Sequence, residues 1–108
     1  MHVWAGNIEH ATIDNTTFRT VLATGTHLQL VVMHLAPGGE IGLEMHAGID
    51  QFLRVEDGAA TVTLGPTEEI IERTVALSDD WAIIVPAGTW HNVVNVGRAP
   101  LKLYSIYS

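Results

Sequence analysis

The 108-residue chain has no cysteine, which excludes a disulfide framework, a thiolate metal site and a cysteine nucleophile together. Positive charge is nearly as scarce: Lys and Arg number 5 against 12 Asp and Glu, a formal net charge of −7. No basic stripe is left to neutralise a phosphate backbone, so nucleic acid is not an expected partner. The cations Arg19, Arg54, Arg73, Arg98 and Lys102 are scattered along the chain, which weighs against a strongly phosphorylated substrate, because phosphate recognition usually needs converging Arg or Lys. Long apolar runs are also missing: nothing approaches the roughly 18 residues of a membrane span. The opening MHVWAGNIEH has neither a basic n-region nor an apolar h-region, so no membrane association is expected and the cytoplasm is the expected location. No Ser-His-Asp or Walker pattern occurs, and Gly38-Gly39 is too short to cradle a phosphate.

What is present is a chain long enough for one domain with its own core. Short runs rich in Val, Ile, Leu and Thr are broken by Gly, Pro and Asp at near-regular intervals, an all-β pattern of the sandwich or barrel kind. The expected strands are 17–23, 27–35, 40–45, 51–56, 59–64, 70–77, 82–85, 90–96 and 101–107. Asp57-Gly58 between two of them reads as a tight hairpin, since a type I′ turn asks for positive φ at both central residues. Pro66-Thr67-Glu68-Glu69 resembles a helix start, but the β-branched residues that follow keep no helical period, and the run is read as strand.

Polar side chains then stand out within these runs. Glu44 and His46 are two apart, so a strand through both would project them from one face. Gln51 opens the next run on the same face as Leu53 and Val55, with Phe52, Arg54 and Glu56 on the other; the charged residues belong outside, so Gln51 points inward. In 90–96, His91 shares a face with Val93 and Asn95 while Asn92 takes the opposite one. His27 and His34 read as hydrogen-bonded core histidines, and His2 and His10 as solvated terminal residues. Glu44 has two further readings, an exposed strand-edge acid or a metal-free general base, and Gln51 could merely satisfy a backbone group. Trp81 and Trp90 read as rim or interface packing, and Tyr104 and Tyr107 as packing of the closing strand.

The frame Gly38, Glu44, His46, Gln51, Gly58, followed by Pro86-Ala87-Gly88-Thr89-Trp90-His91 and Asn95, resembles the two sequence motifs of the cupin superfamily, in order and with every spacing kept. The resemblance implies a small single-domain cupin over 1–108, an RmlC-like double-stranded β-helix or jelly-roll barrel, with 1–24 as an N-terminal strand region and 25–108 as the barrel core. It also implies a divalent metal at the centre, held in the family by three His and one Glu. Two of those positions differ here: Glu44 stands where the first His is usual, and Gln51 where the Glu is usual. Two imidazoles, one carboxylate and one neutral amide leave a divalent site with the same net charge as three imidazoles and one carboxylate. Glu44, His46, Gln51 and His91 are therefore the expected ligands, with iron or manganese favoured and zinc or nickel possible. Leu53, Val55 and Ile83 are expected to line a substrate pocket.

Three functional classes follow. One is a metal-dependent enzyme of dioxygenase or isomerase/lyase type acting on a small, mostly uncharged or carbonyl-bearing molecule. Proteins similar to this one are often called sugar-isomerase-like, though the missing phosphate clamp makes a phosphosugar an awkward fit. The second class is a barrel that binds or senses a small ligand without turnover, and the third a structural dimer with a vestigial site. Single-domain cupins usually pair, so a homodimer is expected, with 13–23 as a strand that could cross a two-fold interface.

Overall fold

A computed structural model describes residue 1 and residues 3–108; His2 lies outside them. The first element is a helix, α1 (Ile8–Asp14), where the sequence reading placed a strand region. Asn7 caps it, its side chain accepting from the His10 amide at 2.9 Å, and Glu9 sits in the first turn, favourable at the positive end of the helix. His10 is exposed, as expected of a solvated residue. The helix lies on β-structure that supplies its burial; a seven-residue helix has too little of its own to persist.

Eight strands follow: β1 (Arg19–Thr24), β2 (Gln29–Leu35), β3 (Gln51–Asp57), β4 (Ala59–Gly65), β5 (Arg73–Ser78), β6 (Ala82–Val85), β7 (Trp90–Asn95) and β8 (Leu101–Tyr107). They form a five-stranded sheet in the order β1-β2-β8-β3-β6 and a three-stranded sheet in the order β5-β4-β7, with every strand pair antiparallel. This is the all-β architecture that the strand pattern indicated and the jelly roll that the resemblance implied. The core between the sheets comes from alternate residues of facing strands: Val31, Met33 and Leu35 of β2, Leu53 and Val55 of β3, Val62 of β4, Val93 of β7, and Leu101 and Leu103 of β8.

Three local expectations are corrected. Asp57-Gly58 makes no hairpin, because β3 pairs with β6 and β8 whereas β4 pairs with β5 and β7. The chain changes sheets there, turning on Gly58 at φ 104°, where an added Cβ would lie 3.1 Å from both Leu101 Cα and Pro100 O. The run 40–45 is no strand but an irregular segment touching β7 through single bridges, Glu40 to Val94 and Glu44 to His91. The run 70–77 begins late, at Arg73, because Ile70 closes a turn with Thr67 and its carbonyl oxygen presses on Gly65, 1.6 Å from where a Cβ would stand.

Glu56 also departs from strand parity. It is buried on the outer face of β3, pairing with the Arg54 guanidinium at 3.0 Å. Burial raises its carboxyl pKa, with Arg54 opposing. On the same outer face of the larger sheet, His34 Nδ1 lies 3.3 Å from the Asn15 carbonyl, and Lys102 Nζ donates to the same oxygen just beyond the end of α1.

Candidate metal centre

Each donor at the centre comes from a different structural context. His91 sits on β7 with its side chain in the core, 2% exposed, beside Val93 and Asn95 as parity requires. Its Nδ1 is 2.9 Å from the Thr89 carbonyl oxygen. A carbonyl can only accept, so Nδ1 carries the hydrogen and the neutral ring turns the Nε2 lone pair inward. Gln51 begins β3 and is 1% exposed. Its amide nitrogen donates to Ser105 Oγ at 3.0 Å, which aims Oε1 at His91 Nε2, also 3.0 Å away.

Glu44 and His46 arrive on the irregular segment between β2 and β3. Reciprocal backbone bonds of 2.9 Å, Glu44 N–H to the His91 carbonyl and His91 N–H to the Glu44 carbonyl, hold it against β7. Gly88 N–H donates to the His46 carbonyl at 2.8 Å, and the Asn92 side-chain oxygen accepts from Gly42 N–H at 2.9 Å. Asp50 ties the first motif to the second, its Oδ1 accepting from Ala87 N–H at 2.9 Å. Glu44 and His46 therefore converge through a pinned bend rather than through shared strand parity.

Glu44 Oε1 lies 3.4 Å from both His46 Nε2 and His91 Nε2. The one nitrogen or oxygen atom that each of Glu44, His46 and His91 offers lies within 4.8 Å of the others. At 3.4 Å these are contacts rather than good hydrogen bonds, and Glu44 Oε1 and His46 Nε2 are both buried without a hydrogen-bond partner. Donors bound about 2.1 Å from one ion stand about 3.0 to 3.4 Å apart as neighbours, so these separations fit a coordination shell. The electrostatics agree. The contact with the His91 imidazole lowers the Glu44 carboxyl pKa against the opposing effect of burial, and His46 adds to the lowering. Burial depresses the His91 pKa, but Glu44 and the Thr89 carbonyl outweigh it and the net shift is upward. A buried oxyanion facing two imidazoles at this spacing fits a divalent cation, which would satisfy every inward lone pair at once.

The centre opens to one side. The Glu44 and His46 side chains keep 32% and 27% of their surface exposed, against 2% for His91, and both line a cavity of about 570 Å³ that His91 and Gln51 do not reach. Its other walls include Arg19, His27, Leu28, Gln29, Ile49 and Tyr107. The expected pocket residues lie elsewhere: Leu53 and Val55 are sealed in the core and Ile83 packs against it. They have inward parity, but the side chains of the facing sheet fill the space at their level. His27 is not a core histidine either; it is exposed in the turn between β1 and β2. Tyr107 had no chemical role in the sequence reading, yet its ring meets His46 edge-on at 5.4 Å between centroids. Ser105 and Tyr107 alternate on the inner face of β8, with Tyr107 directly opposite both Gln51 and Gln29; parity counted forward from the core residue Leu103 would have found both. Asn95, the last residue of the second motif, serves the fold, its amide donating to the Leu35 and Ala99 carbonyls at 3.0 and 2.9 Å.

Residues 31–107 match the family model described as the cupin domain. The chain is a cupin. A solved protein from Bacillus halodurans, BH2720, is 49% identical and superposes with a TM-score of 0.96, covering 98% of this chain and 80% of that one. The uncharacterized protein YrkC of Bacillus subtilis is 53% identical over 102 residues, and the uncharacterized protein L612 of Acanthamoeba polyphaga mimivirus is 37% identical over 107. The alignments cover 94% and 98% of this cupin but 55% of YrkC and 65% of L612, so it spans less than two thirds of either relative. Among the described residues, no helix is long and apolar enough to cross a membrane.

Proposed function

We propose that this cupin binds one divalent metal through Glu44, His46 and His91, with Gln51 as a weaker oxygen donor, and acts as a metal-dependent enzyme of dioxygenase or isomerase/lyase type on a small carbonyl-bearing molecule. The observation that carries this reading is the convergence of three ligand atoms beside an open cavity, two of them buried without any hydrogen-bond partner. Two imidazoles with a carboxylate and an amide oxygen favour iron or manganese over zinc or nickel. Such an ion supplies Lewis-acid polarisation of a carbonyl oxygen and, as iron or manganese, redox capacity. The chain's own residues do the rest. His91 and Gln51 are held by Thr89 and Ser105 and fix the inner side of the centre. Glu44 offsets one of the two positive charges. Glu44 and His46 flank the side from which a substrate arrives, and Leu28 and Ile49 offer apolar wall to its carbon skeleton.

Elemental analysis of untagged protein tests the metal: near-stoichiometric content is expected, and a chain that takes up none after Fe(II), Mn(II), Ni(II) or Zn(II) is added would be a vestigial barrel. Screening the Fe(II) and Mn(II) forms for O₂ consumption and for isomerisation with catechols, diketones and thiols tests turnover. Ligand binding without turnover would make the protein a small-molecule binder or sensor. We further propose a cytoplasmic homodimer. Its support is the unpaired edge of the larger sheet at β1, with Phe18 immediately before that strand exposed at 53%. Light scattering should give twice the chain mass, and Phe18→Asp should halve it.

A further inference from the structure

We infer that Arg19 is a specificity residue of the same cavity, its guanidinium receiving a carboxylate, so that the preferred ligands are small carbonyl-bearing acids with one carboxylate. This rests on the metal reading above and narrows its substrate class.

The topology makes the placement of Arg19 unusual. It pairs with Met33 across β1 and β2, as Val21 pairs with Val31. Met33 and Val31 face the core, yet Arg19 and Val21 are exposed, because the larger sheet has five strands and the facing sheet three, leaving the inner side of edge strand β1 uncovered. The uncovered strip becomes a wall of the cavity that Glu44 and His46 also line. Arg19 is the only Lys or Arg in that lining.

The charges point the same way. The ion pairs among the described residues involve Arg54, His46 and His91 but not Arg19, so its guanidinium keeps its donors for another partner. A chain of formal net charge −7 repels anions overall, and with a divalent ion bound this cavity would reverse that locally. With a divalent ion on Glu44 and the neutral imidazoles, the centre carries about one net positive charge and Arg19 carries another. An occupant with a carbonyl oxygen at the centre and a carboxylate at Arg19 meets both, and a planar guanidinium pairs bidentately with a carboxylate. Leu28 and Ile49 in the same lining favour a short carbon chain joining the two groups.

The test uses the full chain loaded with Co(II), its visible absorption bands reporting binding at the centre without turnover. Pentane-2,4-dione and 2,4-dioxopentanoate differ in the carboxylate and are each titrated into the parent and Arg19→Gln. The ratio of acid affinity to dione affinity should be about tenfold higher in the parent than in Arg19→Gln, with Co(II) content and dione affinity unchanged by the substitution. Arg19→Lys should restore part of the ratio. Equal ratios in parent and Arg19→Gln, with Co(II) bound and both ligands perturbing its bands, would overturn the role of Arg19 and leave the metal reading intact. Failure of Co(II) to bind would overturn both, and Co(II) bound with neither ligand perturbing its bands would overturn the ligand class and the role of Arg19 alone.

Discussion

The two halves of the candidate metal centre are built differently. His91 and Gln51 stand on regular strands, are almost wholly buried, and each has a hydrogen bond to the protein that orients it without help from any ion. Glu44 and His46 stand on an irregular segment, keep about a third of their surface exposed, and bring donor atoms that are unpartnered within the protein. The inner half is thus an extension of the hydrophobic core, and its geometry is determined when the sheets pack. The outer half is positioned through its backbone, and its side chains border the cavity. Burial and access are divided between the donors of one candidate centre.

The contrast breaks most sharply at His91. Replacing it by Ala leaves Gln51 Oε1 and the Thr89 carbonyl facing a void, so His91→Ala should abolish metal uptake and also destabilise the metal-free protein by about 2 to 4 kcal/mol, read from chemical denaturation. Glu44→Ala should abolish stoichiometric metal as well but change metal-free stability by less than about 1 kcal/mol, since its side chain borders the cavity. Equal destabilisation by both variants would erase the distinction between the halves.

The pH response sharpens the comparison through the contact that joins the halves. With the His91 pKa raised above its ordinary 6.5 and that of Glu44 lowered below 4.5, the signs run oppositely. The His91 contribution to metal-free stability is full below pH 6.5 and is lost as pH rises through the raised folded value. The Glu44 contribution is full above pH 4.5 and is lost as pH falls through the lowered one. Between those values the metal-free protein gains from both groups. An NMR titration of His91 in metal-free protein should give a midpoint above 6.5 that drops in Glu44→Gln. Metal binding should weaken as pH falls through that midpoint, because the proton and the ion compete for Nε2. The smallest expected effect on the metal is at Ser105→Ala, which leaves the buried Gln51 amide without its partner and should cost about tenfold in metal affinity and about 1 kcal/mol in metal-free stability.

Those residues also show what the sequence made legible. Period-two alternation put Gln51, His91 and Asn95 on the inner face, and the motif spacing brought Glu44 and His46 to them, although the strand expected to carry that pair is an irregular segment. What it carries survives because Asn92, Asp50 and reciprocal backbone bonds fix the bend, and such contacts between residues distant in sequence leave no periodic trace. The Asp57-Gly58 error has a similar origin. Positive φ at Gly58 is real, but local turn chemistry cannot say whether the chain returns to its own sheet or crosses to the other one. Helix α1 was missed because seven residues offer under two turns of period, and its stability comes from the sheet beneath it. The pocket walls escaped because inward parity says that a side chain faces the interior, not whether another side chain already fills the space there.

The sheet change at Gly58 has a mechanical corollary. Gln51 belongs to the larger sheet, His91 to the smaller, and the remaining two donors to the segment that leaves the larger sheet after β2, bridges to β7 of the smaller and returns at β3. An ion gripping all four would act as a clasp across the sandwich, and any opening that let the layers part would have to release it first.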